Sequence, residues 1–258
     1  MADRSKTARR AATAGAEVAH EYFRTNLTVE TKGRKTDPVT RADHEAQARV
    51  VEELRLIGKD EPIVGEENEL PSQFDETGPA WVVDPIDGTN NFVRGIPLWA
   101  TSLCYMSGAE PVAAATVAPV IDDVFIADDN HARHNGAKIS VSERTDVEQC
   151  TVVPTLWWDH DRREEYAAVT TSITSQFGDL RRYGSTQLEL ALLAMGAVDG
   201  VVSNRQGPPW DTIAGVHLVR KAGGRVTDIH GEPWCHDSTG LVASNGSIHD
   251  AVLETVRF

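Results

Sequence analysis

At 258 residues, with 39 Asp and Glu against 25 Lys and Arg, the chain carries a formal net charge of −14. Hydrophobic residues at 40% and charged residues at 25% are ordinary globular usage, which excludes a disordered or collagen-like chain. No apolar run approaches the ~18–20 residues of a membrane span. The opening MADRSKTARRAATAGAEVAH lacks the apolar stretch of a secretory signal, and the acidic surplus disfavours the basic surface that nucleic-acid binding uses. A cytoplasmic protein without membrane or nucleic-acid partners is therefore expected. Three scattered cysteines, Cys104, Cys150 and Cys235, fit neither a disulfide framework nor a thiolate zinc site.

In chain order, the apolar spacing of Ala8, Ala11, Ala12, Gly15, Val18, Ala19, Tyr22 and Phe23 predicts an amphipathic helix over 3–27. A polar stretch of β-formers and turn residues, Thr28 to Pro38, leads to a second helix from about Thr40, with Thr40 as N-cap and Asp43 in its first turn. Pro62-Ile63-Val64 and Trp81-Val82-Val83 read as short strands, the second stopping at Asp84. Residues 100–127 predict an antiparallel meander, and Asp128 to Lys138 a polar linker. Beyond it come a strand at Cys150–Pro154, a helix at Asp161–Phe177, a strand at Leu180–Tyr183 and a helix at Ser185–Met195. A strand at Val198–Ser203 and a helix at Thr212–Ala222 complete the pattern. Alternating helices and strands indicate an α/β (α+β) layered fold.

The most informative stretch is Trp81-Val-Val-Asp84-Pro85-Ile86-Asp87-Gly88-Thr89. Two carboxylates straddle a proline between an apolar strand and a Gly-Thr turn. If Gly88-Thr89 opens a helix, its amides favour an anion, yet carboxylates repel one. A metal-bridged phosphate removes that conflict. Glu66 after a strand and Asp211 at a helix start complete, with Asp84, Asp87 and the Ile86 carbonyl, an all-oxygen ligand set suited to Mg²⁺. None of the nine His stands in His-x-x-x-His spacing.

These residues resemble the inositol monophosphatase family of Mg²⁺-dependent, lithium-sensitive phosphatases, relatives of fructose-1,6-bisphosphatase. Four motifs carry the resemblance: Asp37-Pro-Val-Thr40-Arg-Ala-Asp43, Gly65-Glu66-Glu67, Asp84-Pro-Ile-Asp87-Gly88-Thr89, and Trp210-Asp211 followed by Ala222-Gly223-Gly224. It implies a layered αβαβα sandwich of the sugar-phosphatase type. Residues 1–138 would form the half with most metal ligands, and 139–258 the half with Asp211 and the substrate wall. Glu66, Asp84 and the Ile86 carbonyl would hold one Mg²⁺, and Asp84, Asp87 and Asp211 a second. Glu66 would help hold a weaker third. Asp43 and Thr89 would orient and activate water, while the Gly88 and Thr89 amides cradle the phosphate. Lys32, or Lys35 in its place, would stand near the metals. Gly184-Ser185-Thr186 would line the substrate pocket, and a homodimer is implied.

Asn204 stands where animal members carry a substrate-contacting Glu, and Ile213 is larger than the residue usual there. With Arg205 beside it, Asn204 would tolerate a second phosphate. The expected substrate is myo-inositol 1-phosphate, with fructose 1,6-bisphosphate as its rival. Histidinol phosphate and 3′-phosphoadenosine 5′-phosphate stand further off, and a regulatory interaction protein of the same fold is the non-enzymatic alternative. Bland readings also attach to single residues. Asp43 alone could merely compensate a helix dipole, Glu67 a solvated acid, and Trp81 and Trp210 packing residues.

Nineteen Arg against six Lys, on so acidic a chain, fits a protein kept soluble in concentrated salt, where screening over a few ångströms tolerates self-repulsion. Stability and turnover are therefore expected to hold or rise in molar KCl; unfolding on salt addition, followed by circular dichroism, would remove that reading.

Overall fold

The computed structural model describes residues 3–31, 38–57, 60–67, 69–156 and 160–257. Along the first half run α1 (Arg4–Tyr22), β1 (Val29–Thr31), β2 (Pro38–Thr40), α2 (Arg41–Ile57), β3 (Ile63–Gly65), β4 (Pro79–Asp87), α3 (Thr89–Val93), β5 (Ala100–Ser107), β6 (Glu110–Ala118), β7 (Asp123–Ala127), β8 (Ala132–His134) and β9 (Ala137–Lys138). The second half holds β10 (Thr151–Pro154), α4 (Arg163–Gln176), β11 (Asp179–Leu180), α5 (Thr186–Ala194), β12 (Gly200–Ser203), α6 (Pro209–Lys221), β13 (Arg225–Thr227), β14 (Leu241–Ser244) and α7 (His249–Glu254). Strands β3 to β9 form a seven-stranded sheet in sequence order. A five-stranded sheet has the order β11-β10-β12-β14-β13.

Period-two alternation builds the layers. On β4, Trp81 and Val83 face α1 and α2, whereas Ala80 and Val82 face the apolar side of α5 and α6. On the second sheet, Val153, Val201 and Leu241 turn to that same α5–α6 layer, while Val152, Val202 and Val242 turn outward to α4 and α7. The result is the expected αβαβα sandwich. Its inner helix layer is buried on both sides, which is why α5 is apolar nearly all round. On the outer side, small residues let α1 approach α2: a Cβ on Gly15 would stand 2.5 Å from Val50 Cγ2.

Several sequence expectations shift. Helix α1 ends at Tyr22 because Phe23 is extended and Arg24 takes a positive φ of 60°. The span 128–138 is no linker. It folds into β8 and β9 around Asn135-Gly136, both at positive φ, the pair that a tight hairpin turn requires. Helix α6 starts three residues early with Pro209 in its first turn, where the missing amide hydrogen costs nothing.

The largest shift concerns β4, which runs on through Asp87. Its pairing with β5 goes from Asp84↔Ser102 to Asp87↔Ala100, so β4 carries one extra residue there, a β-bulge. Pro85 sits inside it, where no ladder amide is needed, and its carbonyl accepts from Thr101 Oγ1 at 2.7 Å. Among the described residues no helix is long and apolar enough to cross a membrane.

Two buried histidines give the fold an acid limit. Burial pushes His217 and His249 down to about 4 from the ordinary 6.5. Between those values the unfolded chain binds protons that the folded chain refuses, so stability is complete above pH 6.5 and falls as pH drops toward 4. By pH 5 each ring should cost at most about 2 kcal/mol. Melting temperature should therefore fall from pH 7 to pH 5, and His217→Gln should flatten part of that slope.

Candidate active site

The acidic motifs converge because the chain ends its strands and starts its helices at one place. Strand β3 pairs parallel with β4, Gly65 opposite Val83. Glu66 and Asp84 therefore leave adjacent strands side by side. The Glu66 turn is held from α2: Gln47 Oε1 accepts the Glu67 amide at 3.0 Å. The bulge then reverses the facing of β4, so Ile86 packs with Ala42 and Ala46 of α2 while Asp87 meets α5.

Asp87 is buried at the start of α5. Its Oδ2 accepts the Ser185 hydroxyl and the Gln187 amide at 2.7 Å, and its Oδ1 the Thr186 amide at 3.2 Å. Burial nevertheless pushes its carboxyl up to about 7, against the Ser185 and Gln187 hydrogen bonds and with help from the Glu189 and Glu66 charges. Ser185 caps the helix in turn, accepting from the Leu188 amide at 3.4 Å.

Asp43 is fully buried in the first turn of α2. Its Oδ2 accepts both the amide and the hydroxyl of Thr40, at 2.8 and 2.7 Å, the reciprocal geometry of a capping box. Its Oδ1 faces Thr89, whose hydroxyl lies 3.4 Å away and 3.0 Å from the Ile86 carbonyl. Asp43 thus stands in the first turn of α2, where the bland reading has it compensate the helix dipole, and is also the partner of Thr89.

Glu66, Asp84, Ile86, Asp87, Gly88, Thr89, Gly184, Thr186 and Asp211 all line one cavity of about 650 Å³, within the usual range for small-molecule sites. Asp211 reaches it from the first turn of α6. Among the described residues no three His, Cys, Asp or Glu side chains stand close enough to form a ready metal group. The donor chemistry still fits a hard cation, because Glu66, Asp84, Asp87, Asp211 and the Ile86 carbonyl offer only oxygen.

Asn204 is placed differently from its expected role. It is buried, its side-chain amide donates to Glu165 in the first turn of α4, and it is absent from the cavity wall, where Arg205 and Gln206 stand instead. Lys32 and Lys35 lie outside the described residues.

Sequence reasoning missed Arg94, Arg182, Tyr183 and Glu189, all cavity residues. Glu189 is buried, and its Oε1 accepts the Tyr183 and Gly184 amides at 2.9 and 2.8 Å. Its Oε2 accepts the Thr155 hydroxyl. A lone acid between Leu188 and Leu190 in an otherwise apolar helix was the available signal, since buried charge demands partners.

Comparison with known proteins places the chain among the phosphatases, phosphomonoester hydrolases. The chain belongs to the inositol monophosphatase family, whose model matches residues 1–258. It is 35% identical over 230 residues to a fructose-1,6-bisphosphatase/inositol-1-monophosphatase of Thermotoga maritima, covering 89% of this chain and 86% of that one. It is 33% identical to a histidinol-phosphatase of Mycobacterium tuberculosis, covering 88% and 87%. The solved structure of a Thermotoga maritima IMPase superposes with a TM-score of 0.89 at 32% identity, covering 98% of this chain and 96% of that one.

Gly88 combines a left-handed backbone with close neighbours on the cavity. At φ 93°, an added Cβ would stand 3.1 Å from the Gly184 carbonyl, the Leu98 carbonyl and Ser185 Cβ. Gly88→Ala should lower stability by about 1–2 kcal/mol from the left-handed backbone alone and reduce phosphatase turnover. Gly78→Ala, with nothing within 4 Å, should do neither; equal melting losses for the two would remove the argument.

Proposed function

We propose that the chain is a Mg²⁺-dependent phosphomonoesterase whose substrate is myo-inositol 1-phosphate, hydrolysed by direct attack of water. The observation that carries this reading is the gathering of Glu66, Asp84, Asp87 and Asp211 on one cavity wall with Arg94, Arg182 and Arg205 on the same cavity. Acids that hold cations and guanidiniums that hold phosphate oxygens suit a small phosphorylated polyol.

Glu66, Asp84, the Ile86 carbonyl, Asp87 and Asp211 would hold two to three Mg²⁺ ions, which when bound supply charge neutralisation at the phosphoryl group and acidify water. The chain's own residues handle the proton. With Oδ2 of Asp43 occupied by Thr40, Oδ1 is the oxygen that faces Thr89. Thr89 Oγ1 would take a proton from the attacking water as its own hydroxyl proton passes to Asp43 Oδ1, so the carboxylate ends with the proton that water loses and the leaving oxygen is protonated from solvent. The Gly88 and Thr89 amides, at the start of α3, would cradle the phosphate, and Ser185 and Thr186 would fix Asp87 against it. No covalent enzyme intermediate is needed.

Fructose 1,6-bisphosphate is the second reading. Arg182 and Arg205 could neutralise a second phosphate, and a relative bears both activities in its name. In this proposal the two halves, 1–138 and 139–258, act as one unit in a cytoplasmic homodimer.

Asp87→Asn should abolish Mg²⁺-dependent phosphate release with the circular dichroism spectrum unchanged; full turnover by that variant sinks the assignment. Ranking inositol 1-phosphate, fructose 1,6-bisphosphate, histidinol phosphate and 3′-phosphoadenosine 5′-phosphate by kcat/KM decides the substrate. A clear lead for any of the last three overturns the first choice.

A further inference from the structure

Gln187 occupies a place that the chemistry above does not use. It is fully buried, in the first turn of α5, and is tied to both acids proposed for the second ion. Its backbone amide donates to Asp87 Oδ2 at 2.7 Å. Its side chain reaches the other way, to the start of α6. Nε2 donates to the Trp210 carbonyl at 2.6 Å, and Oε1 accepts the Gly215 amide at 2.7 Å. Trp210 directly precedes Asp211, and Gly215 is the residue whose amide in a regular helix bonds the Asp211 carbonyl. One residue therefore touches Asp87 and brackets the backbone of Asp211.

We propose that Gln187 is a positioning residue that sets the separation of Asp87 and Asp211 and thereby the Mg²⁺ affinity of the site, an inference that rests on the metal reading above. The side-chain requirement is narrow. Holding a carbonyl and an amide at once takes one donor and one acceptor at the end of a three-carbon reach. Glutamine supplies both, glutamate only acceptors when ionised, and methionine fills the same space with no donor and only a weak acceptor. The packing around it is equally tight: a Cβ on Gly215 would stand 2.6 Å from Leu190 Cβ and 2.9 Å from Gln187 Oε1. Helices α5 and α6 can come this close only because residue 215 has no side chain. The glutamine amide is then a polar link in a contact where Leu190 and Ile213 also pack. Partners that orient metal ligands without touching the metal typically carry ~10–100-fold in affinity.

The test compares wild type with Gln187→Met and Gln187→Glu in the full chain. Mg²⁺ is titrated by isothermal calorimetry and, independently, by the rise in melting temperature that it produces. Gln187→Met should weaken Mg²⁺ binding by ~10-fold or more. Gln187→Glu is the sharper variant. An added negative charge near the site would by itself tighten Mg²⁺ binding, whereas loss of the donor to Trp210 should weaken it. Val242→Ala, in the outer core on the far face of the second sheet, controls for lost stability and should leave Mg²⁺ affinity unchanged. Wild-type or tighter Mg²⁺ binding in either glutamine variant overturns the positioning role. Should Gln187→Met fail to fold, the sign of the change in Gln187→Glu decides alone. If wild type itself takes up no Mg²⁺, the metal reading fails, and that result is distinct from one in which wild type and variants bind alike.

Discussion

The site depends on one extra residue in β4. In a regular strand, positions three apart point to opposite faces, so Asp84 and Asp87 could not serve the same cavity. The bulge between them inverts the sequence of faces after Asp84. Ile86, which would otherwise follow Val82 and Asp84 toward the inner helices, packs instead with Ala42 and Ala46 of α2. Asp87 falls to the inner side and meets α5. Proline stabilises this arrangement because the bulged position has no ladder partner to lose.

Gathering acids in a half-buried cavity costs free energy, and the fold offsets it with helix starts. Asp43 lies in the first turn of α2, Asp211 in the first turn of α6, and Asp87 accepts from the first amides of α5. Each helix N-terminus favours negative charge by typically 0.3–1 kcal/mol, up to about 2 kcal/mol in partly buried geometries. Three such termini at one cavity lessen the repulsion without removing it. Burial first, and the Glu189 and Glu66 charges to a lesser degree, still push the Asp87 carboxyl up to about 7, which leaves an imbalance. A cation fits that residual imbalance better than another hydrogen bond would, because Asp87 already accepts three.

Much of this was legible in the chain. Apolar, β-rich runs located β4, β5 and β6, and the motif residues Glu66, Asp84, Asp87, Thr89 and Asp211 do line one cavity. What was hidden has specific causes. The bulge was invisible because Pro85 reads equally well as a strand end. The β8–β9 hairpin was missed because its Asn135-Gly136 turn sits in a polar segment whose short strands lack an apolar face. Asn204 was assigned by alignment of position, and position along a chain does not say where an amide points; Glu165, 39 residues earlier, claims it. Gln187 and Glu189 carry no motif at all. Their roles come from what α5 touches, which only the packing of α5 on α6 and against residues 183–184 reveals.

The charge of the chain and that of its cavity pull in opposite directions under the proposed reading. A net −14 repels a phosphate ester at long range, and the surplus does not reside in the site alone: five acids, Asp43, Glu66, Asp84, Asp87 and Asp211, leave 34 against 25 Lys and Arg. At physiological ionic strength, however, exposed charges more than about 8 Å apart are largely screened, so the approaching anion responds chiefly to what lines the opening. There the wall carries Arg94, Arg182 and Arg205. Arginine suits this position better than lysine, since its planar fork meets phosphate oxygens in pairs and keeps its charge at any working pH. Under that reading, selection of an anion is a local property, set by guanidiniums at the wall and by the cations proposed to sit among the carboxylates. The acidic exterior governs solubility and discourages anions that engage neither.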